Sequence, residues 1–333
     1  MYKKLAKSTK NHFPMDSFFI GIHTFGTTLG CLINLFLCHV ALFHSPPIIK
    51  TYSIGLINTA ITNIGACITG FLLQQRIIPS GDTLFYVSYG PCGRIGPQFC
   101  FNVFGALLHF HTHALWLNLF SFGYRYYVMI HHEPSKCKLQ LLILIVYIPS
   151  FIQMLGMFLQ DLDVEVVRSL LHEKFPQYNM TGLTVTGAVD IITFAPLYTI
   201  IHMTVISTPI TIGIQVFRRK IIKLLVSKGV DMTTRSKNLH AQLLRTLTFQ
   251  ATVPLFYLIG VFCYFTTQLG FWSHPLFEFS ITTTFLFVPI LTPVSSLIYV
   301  TPYRQFVQRI FWRRRLRTTS SVSKLQAVSV ITD

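Results

Sequence analysis

The chain has 333 residues, of which 51% are hydrophobic and only 11% are charged. Soluble domains carry about 25% charged residues, so this chain has too few to cover a surface that faces water. Its net charge of +16 would fit a nucleic-acid partner in a soluble protein, but here the basic residues flank long apolar runs. The composition therefore excludes an ordinary soluble protein. It predicts a membrane protein that contacts lipids and does not bind nucleic acid.

Hydropathy predicts how often the chain crosses the membrane. A spanning helix needs roughly 20 mainly apolar residues, and an open sheet edge cannot satisfy its backbone in lipid. Seven stretches without Asp, Glu, Lys or Arg are long enough, so the predicted fold class is an all-α, seven-transmembrane helix bundle. The last two stretches are separated by Glu278, with a turn predicted at Trp272–Pro275. The predicted spans are Phe18–Phe43, Thr51–Gln75, Ile95–Tyr124, Leu139–Gln160, Ile191–Phe217, Thr246–Phe277 and Phe279–Tyr303.

The distribution of basic residues predicts the orientation. Cytoplasmic loops collect Lys and Arg. With the N-terminus outside, most of the 27 Lys and Arg residues lie inside, chiefly between Arg218 and Arg245 and after Arg304. This predicts an extracellular tail over residues 1–17, a transmembrane domain over residues 18–303 and a basic cytoplasmic tail over residues 304–333. Four basic residues in the first tail argue for the opposite orientation, namely Lys3, Lys4, Lys7 and Lys10.

The predicted cytoplasmic tail begins with an amphipathic pattern. Pro302 suits the first turn of a helix, and Phe306 and Ile310 recur at helical spacing among arginines. Such a helix can lie in the membrane boundary, with its apolar face in lipid and its basic side chains at anionic headgroups. The segment Pro302–Arg317 is therefore predicted to form a short cytoplasmic interfacial helix. A disordered basic tail is the alternative.

Several features fall in the predicted outer loops. Asn179-Met180-Thr181 is an Asn-x-Ser/Thr sequon after the fourth span, so Asn179 is a predicted glycosylation site. In the same loop, Val164, Val167 and Leu171 recur at helical spacing and predict a short amphipathic helix, either a lid over an outer pocket or a solvated helix. Two cysteines, Cys92 and Cys100, also face outside, where oxidising conditions permit a disulfide. A disulfide and two free thiols both remain open.

The third predicted span contains a group of histidines. His109 and His113 are four residues apart on one helix face, a spacing that can bind a metal ion, and His202 is a candidate third ligand. An intramembrane metal hydrolase is one interpretation. The alternative is that these histidines hydrogen-bond across helices. We favour the second because no acidic residue lies in the middle of a span. We therefore expect no metal, no cofactor and no catalytic residue.

Short motifs at the ends of the spans indicate a family. They are Tyr89-Gly90-Pro91-Cys92, Gly96-Pro97-x-x-Cys100, Leu108-His109, Ser121-Phe122-Gly123-Tyr124-Arg125-Tyr126-Tyr127, Leu247-Thr248-Phe249-Gln250-Ala251-x-x-Pro254 and Pro293-x-Ser295-x-x-x-x-Val300-x-Pro302-Tyr303-Arg304. With seven spans and an arginine at the inner end of the third, these motifs resemble the nematode serpentine chemoreceptors, class delta. That class belongs to the superfamily resembling G-protein-coupled receptors. The resemblance covers about residues 15–310.

The resemblance implies a function. Such a protein is a multi-pass chemosensory receptor in the plasma membrane of sensory neuron cilia, which binds a small external chemical and signals through a heterotrimeric G protein. Arg125 is the expected G-protein contact. Two departures from rhodopsin-like receptors are Tyr124-Arg125-Tyr126 in place of an acidic-Arg-aromatic triplet and Thr292-Pro293 in place of Asn-Pro. An odorant-gated cation channel of inverted topology is the alternative, favoured by the N-terminal lysines.

Helical spacing predicts the ligand site. Residues three or four apart share a helix face, so an inward-facing Arg125 places a stripe of the third helix in the bundle interior. His111 is the only strongly polar side chain on that stripe and is expected to orient a polar group of the ligand. Ordinary packing between helices is the alternative for the apolar members. The predicted ligand-binding residues are Phe104, Leu107, Leu108 and His111 from the third helix, with Leu255, Phe256 and Ile259 of the sixth as the facing wall.

Overall fold

A computed structural model of the chain describes residues 12–132, 134–228, 245, 248–272 and 274–310. Most of these residues are helical, with residues 248–252 and 301–310 also in helices. The named helices are α1 (His12–Phe43), α2 (Lys50–Leu73), α3 (Pro97–Ile130), α4 (Lys136–Phe158), α5 (Val164–Lys174), α6 (Phe194–Ile200), α7 (Ser207–Lys228), α8 (Leu255–Gln268), α9 (Pro275–Phe285) and α10 (Phe287–Tyr299). The strands are β1 (Gln75–Ser80), β2 (Thr83–Ser88) and β3 (Thr184–Ala188).

Six helical stretches of this part of the chain are long and apolar enough to cross a membrane. Each overlaps one predicted span, which confirms six of the seven as candidate membrane helices. The third predicted span corresponds to α3, which is 34 residues long but falls outside these six. Its histidines lower its hydropathy, and its neighbours α2, α4 and α7 cover much of its surface. The six stretches are Met15–Phe43, Tyr52–Leu73, Lys136–Phe158, Phe194–Ser227, Thr248–Gln268 and Pro275–Tyr299.

Three of the spans are interrupted near prolines. The fifth contains a π-helical stretch, Ile201–Ile206, between α6 and α7. The sixth has a turn at Val253 and Pro254, and the seventh has one at Leu286, between α9 and α10. Proline lacks an N–H group and its ring displaces the carbonyl four residues earlier, so the helix ladder is broken near it. Pro289 and Pro254 account for two of these interruptions directly.

A three-stranded antiparallel sheet lies beside the helices, and the expectation of an all-α fold is wrong in this respect. β1 and β2 form a hairpin that turns at Gly81, whose φ of +60° suits glycine, and β3 pairs with the other edge of β2. The sheet joins the loop after the second span to the loop after the fourth. Gln75, predicted as the last residue of the second span, is the first residue of β1.

The sheet is buried on both faces. Successive side chains of a strand point to opposite sides. One set of sheet residues therefore packs against the helix bundle, namely Ile77, Leu84, Tyr86 and Ala188. The alternate residues Ile78, Phe85 and Val87 pack against Val167 and Leu171 of α5. The predicted amphipathic helix is thus confirmed as α5, and it rests on the sheet, which in turn rests on the bundle.

A buried ion pair joins the sheet to the seventh span. The Nη2 atom of Arg76 lies 2.6 Å from Oε2 of Glu278, and the two side chains are 3% and 0% exposed. Tyr178 donates its hydroxyl to Oε1 of Glu278 at 2.9 Å, and its ring lies 4.4 Å from the Arg76 guanidinium. Burial raises the pKa of Tyr178, and the neighbouring carboxylate raises it further. Glu278 was expected between two spans. That placement is wrong. Glu278 lies in the first turn of α9, where Arg76 compensates its charge.

The C-terminal end of the described chain packs against the end of α1. Tyr303 is fully buried, and its hydroxyl lies 2.7 Å from Oγ of Ser45. The Phe306 ring stacks on His44 with centroids 3.9 Å apart. Residues 301–310 are helical, and residues 311–317 of the predicted interfacial helix lie outside the described part. Its position in the membrane boundary stays a prediction.

Replacing Glu278 with Gln is expected to destabilise the fold. The change leaves the buried Arg76 charge without a counter-charge, which typically costs about 3–5 kcal/mol. The double change Arg76→Met with Glu278→Leu removes both charges and is expected to restore most of the lost stability. Thermal unfolding of purified protein in detergent measures the difference.

The exposed pair between Asp82 and Lys174 (2.8 Å) supplies a matched control. Asp82→Asn is expected to leave the unfolding temperature almost unchanged, because water screens an exposed pair. Equal losses in Glu278→Gln and Asp82→Asn would contradict the role given to the buried pair.

Candidate functional site

A cavity of about 60 Å³ lies between the bundle-facing side of the sheet and the ends of four spans next to the sheet. The sheet closes it with Ile77, Leu84 and Tyr86, and the third, fifth, sixth and seventh spans form its walls. Its surface is almost entirely apolar. The remaining lining residues are Phe104, Leu108, Thr199, Ile200, Met203, Thr204, Gly260, Val261, Tyr264, Ile281 and Phe285.

The residues predicted on α3 lie at or near this cavity. Phe104 and Leu108 line it, and Leu107 is buried in the same apolar cluster. His111 is buried one turn further along the helix, with its ring 5.4 Å from the ring of Phe285, which lines the cavity. The helical spacing therefore identified the inward face of α3. The binding role of these four residues stays a prediction.

The residues predicted on the sixth span face the wrong way. Leu255 and Ile259 are 44% and 47% exposed, and the ring of Phe256 stacks on Phe287 outside the cavity. The inward face of α8 instead carries Val261 and Tyr264. Ile259 precedes Val261 by two residues, and residues two apart point to nearly opposite sides of a helix. The facing wall was predicted from distance to Pro254 and not from helical phase, which explains the error.

Other lining residues had no clear signal in the sequence. The contributions of the fifth span depend on the π-helical stretch, which contains Met203 and follows Thr199. Those of the sheet depend on strands that were not predicted. Gly260 is the exception, because a small residue permits close approach of helices. A Cβ atom at Gly260 would lie 2.7 Å from the Phe285 ring. The sixth and seventh spans therefore touch at the cavity wall.

The intramembrane histidines contact aromatic and amide side chains. His202 accepts a hydrogen bond from Trp116 Nε1 at 2.9 Å, and its Nδ1 lies 2.8 Å from Oε1 of Gln153. The rings of His109 and His113 both pack edge-on against Tyr147, at 4.6 and 4.7 Å. Both ring nitrogens of His202 thus have partners, so the hypothesis that His202 is a third metal ligand is wrong. Within the described ranges, His, Cys, Asp and Glu form no group of three that could hold a metal ion.

Hydrogen bonds connect the spans below the cavity. Tyr257 donates its hydroxyl to the backbone carbonyl of His111 at 2.6 Å, which joins the sixth span to the third. Asn118 donates to the carbonyl of Gln250, and the Gln250 amide donates to Oγ of Ser295 at 3.1 Å. The carbonyl of Gln250 is available because Pro254, four residues later, has no N–H. These bonds surround a second cavity of about 30 Å³, room enough for a water molecule.

Arg125 lies at the far end of α3 from the sheet. It is 9% exposed and donates a hydrogen bond to the hydroxyl of Tyr52 on α2. Its guanidinium lies 5.2 Å from the Tyr52 ring and 6.0 Å from the Phe122 ring. The inward direction assumed for Arg125 in the helical-spacing argument agrees with this position. Contact with a G protein stays a prediction.

Comparison with known proteins identifies the family. Residues 19–309 match the family described as the serpentine-type seven-transmembrane chemoreceptor Srd. The chain belongs to the Srd family. It is similar to serpentine receptor class delta-19 of Caenorhabditis elegans, with 37% identity over 303 residues, 89% of this chain and 88% of the relative. Class delta-18 of the same organism is 39% identical over 301 residues, 89% of each chain.

Membership of the Srd family confirms the resemblance seen in the motifs. The family is one of multi-pass membrane chemoreceptors and not of enzymes. Cys92 and Cys100 form a disulfide with an S–S distance of 2.05 Å, next to the start of α3. Asn179 is exposed, and its side-chain oxygen accepts from the backbone N–H of Thr181 at 3.1 Å. Glycosylation of Asn179 stays a prediction.

The bond between Tyr257 and His111 is expected to contribute to stability. Tyr257→Phe removes the hydroxyl donor and keeps the ring, so the free energy of unfolding should fall by about 0.5–1.5 kcal/mol. Thermal unfolding in detergent measures the change. Tyr127→Phe is the matched control, because Tyr127 is an exposed tyrosine of α3. Indistinguishable unfolding temperatures for the two variants would contradict a stabilising bond at Tyr257.

Proposed function

We propose that this Srd receptor binds a small external chemical in the cavity beneath the sheet and signals through a heterotrimeric G protein. The observation that carries the proposal is the cavity itself. It is partly open, nearly all apolar, and formed by four spans that come from distant parts of the chain. Ligand sites of this kind are typically concave, apolar and placed between helices.

In the proposed topology α3 is the third span and completes the set of seven, and the N-terminus lies outside. A central helix can carry polar side chains because its neighbours separate it from lipid. The sheet and α5 would then lie outside, with the Asn179 sequon. The basic residues between Arg218 and Arg245 and after Arg304 would lie in the cytoplasm. This arrangement agrees with the excess of basic residues in inner loops.

The proposed signal passes along contacts between the third, sixth and seventh spans. A ligand that favours one of two conformations shifts the equilibrium between them. Phe285 lines the cavity and its ring lies 5.0 Å from that of Tyr257, which holds the His111 carbonyl. Gln250 then links the sixth span to Ser295 in the seventh. At the inner end, release of Arg125 from Tyr52 would present its guanidinium to the G protein.

The proposed location is the plasma membrane of sensory neuron cilia. It follows from the resemblance to nematode chemoreceptors, and the apolar outer surface of the helices agrees with a lipid environment. Leu144, Phe262 and Val205 are examples of large apolar side chains that are well exposed on three different spans. Membrane lipids are therefore the proposed surroundings of the bundle.

Filling the cavity is expected to block activation. An agonist is first identified in cells that express the receptor, by a calcium or cyclic-nucleotide response to a panel of chemicals. Val261→Phe adds a ring to the cavity wall, and a comparable loss of about 1–3 kcal/mol in agonist binding corresponds to about a 5- to 150-fold rise in EC50. Ile259→Phe is the control, because this side chain faces away from the cavity.

Surface expression is measured for both variants. The same EC50 for Val261→Phe and the wild type, at equal surface expression, would place the site elsewhere. A response that persists in cells without functional heterotrimeric G proteins would instead favour the cation channel.

A further inference from the structure

Thr199 lines the cavity, and its hydroxyl has no hydrogen-bond partner among the described residues. Thr199 is 8% exposed, and its Oγ1 atom makes no hydrogen bond within the described part of the chain. A helical threonine normally donates to a carbonyl three or four residues earlier. Thr204 and Thr211 of the same span do so, bonding the carbonyls of Ile200 and Ser207 at 2.5 and 2.8 Å. Thr199 is therefore an exception at the cavity wall.

A buried hydroxyl without a partner is unfavourable, and native structures contain few of them. Apolar side chains make up most of the surrounding wall, including Met203, Val261 and Ile281. A ligand that supplies one hydrogen-bonding atom beside Thr199 would satisfy this hydroxyl. The rest of such a ligand would contact apolar side chains.

We propose that the ligand is a small uncharged molecule, mainly hydrocarbon, with one oxygen that accepts a hydrogen bond from Thr199 Oγ1. The proposal rests on the receptor function proposed above and assigns a ligand class to the same cavity. Thr199 is thereby a specificity-determining residue. It distinguishes a ketone, ester or ether from a hydrocarbon of the same shape.

The charge of the lining excludes an ionic ligand. The lining contains no Asp, Glu, Lys, Arg or His among the residues that the structure describes. The nearby Arg76 and Glu278 compensate each other. A charged ligand would lose its hydration without gaining a counter-charge, which is strongly unfavourable.

The cavity is partly open, so its volume alone does not set the size of the ligand. An apolar cavity of about 150 Å³ accommodates benzene. The cavity here measures about 60 Å³, so a ligand as large as benzene extends through its opening. Short-chain compounds with one carbonyl or ether oxygen meet the requirements of charge and hydrogen bonding together.

The test uses two probes of the same shape. In 2-butanone a carbonyl oxygen occupies the place of the terminal CH₂ group of 2-methyl-1-butene. Binding of each probe to the full receptor in lipid nanodiscs is measured by ligand-observed saturation-transfer NMR, with empty nanodiscs subtracted. Wild-type receptor is expected to prefer the ketone by roughly fivefold or more, the usual gain from one hydrogen bond.

Two isosteric variants distinguish a specific effect of the Thr199 hydroxyl from a general effect of polarity in the cavity. Thr199→Val is expected to abolish the preference for the ketone while the hydrocarbon still binds. Thr204→Val is the matched control, because Thr204 lines the same cavity but its hydroxyl is bonded to Ile200. It should keep the preference. Thermal unfolding confirms that both variants are folded.

Three results would overturn the proposal: a preference that survives in Thr199→Val, an equal loss in Thr204→Val, or no binding of either probe above that of empty nanodiscs. None of these results bears on whether the receptor signals to a G protein. That function fails separately, if no chemical in the cellular screen produces a response that depends on G proteins.

Discussion

The ion pair between Arg76 and Glu278 is the interaction on which the sheet-covered end of the structure depends. Each charge is buried, and neither is stable there without the other. Arg76 belongs to β1 and Glu278 to α9, so the pair fixes the sheet against the seventh span. Tyr178 lies in the loop that precedes β3, and its hydrogen bond to Glu278 holds this loop at the same point. Three separate parts of the chain are thus joined at one point.

This constraint explains why the cavity is closed towards the sheet. The inner face of the sheet can cover the spans only if the strands are held in one position, and β1 is held by its own arginine. The seventh span both anchors the sheet and lines the cavity, through Ile281 and Phe285. A ligand that displaces this span would therefore act on the sheet and on the inner hydrogen bonds together.

Proline sets the second constraint. Each proline inside a span leaves a carbonyl without its usual N–H partner, and such groups are costly in lipid. Asn118 satisfies the carbonyl of Gln250, and Asn34 donates to the carbonyl of Pro289 at 2.7 Å, four residues before Pro293. Polar side chains of neighbouring helices thus hold the interrupted spans in place.

Hydropathy and helical spacing predicted the parts of the structure that depend on local pattern. Long uncharged runs located the spans, and the spacing of Val167 and Leu171 located α5. The inward face of α3 followed from the same periodicity. The sheet was missed because strands buried on both faces show no alternation of polar and apolar residues. Glu278 was misplaced because its partner, Arg76, is 202 residues away in the sequence.

Cysteine protection tests most directly whether the cavity beneath the sheet is the ligand site. Val261→Cys and Ile259→Cys receptors in membranes are treated with a small methanethiosulfonate reagent, with and without a saturating agonist. An agonist bound in the cavity is expected to slow modification of the cysteine at position 261 and to leave that at position 259 unchanged. Equal rates at position 261 with and without agonist, in a receptor that still responds, would show that the ligand does not bind in this cavity.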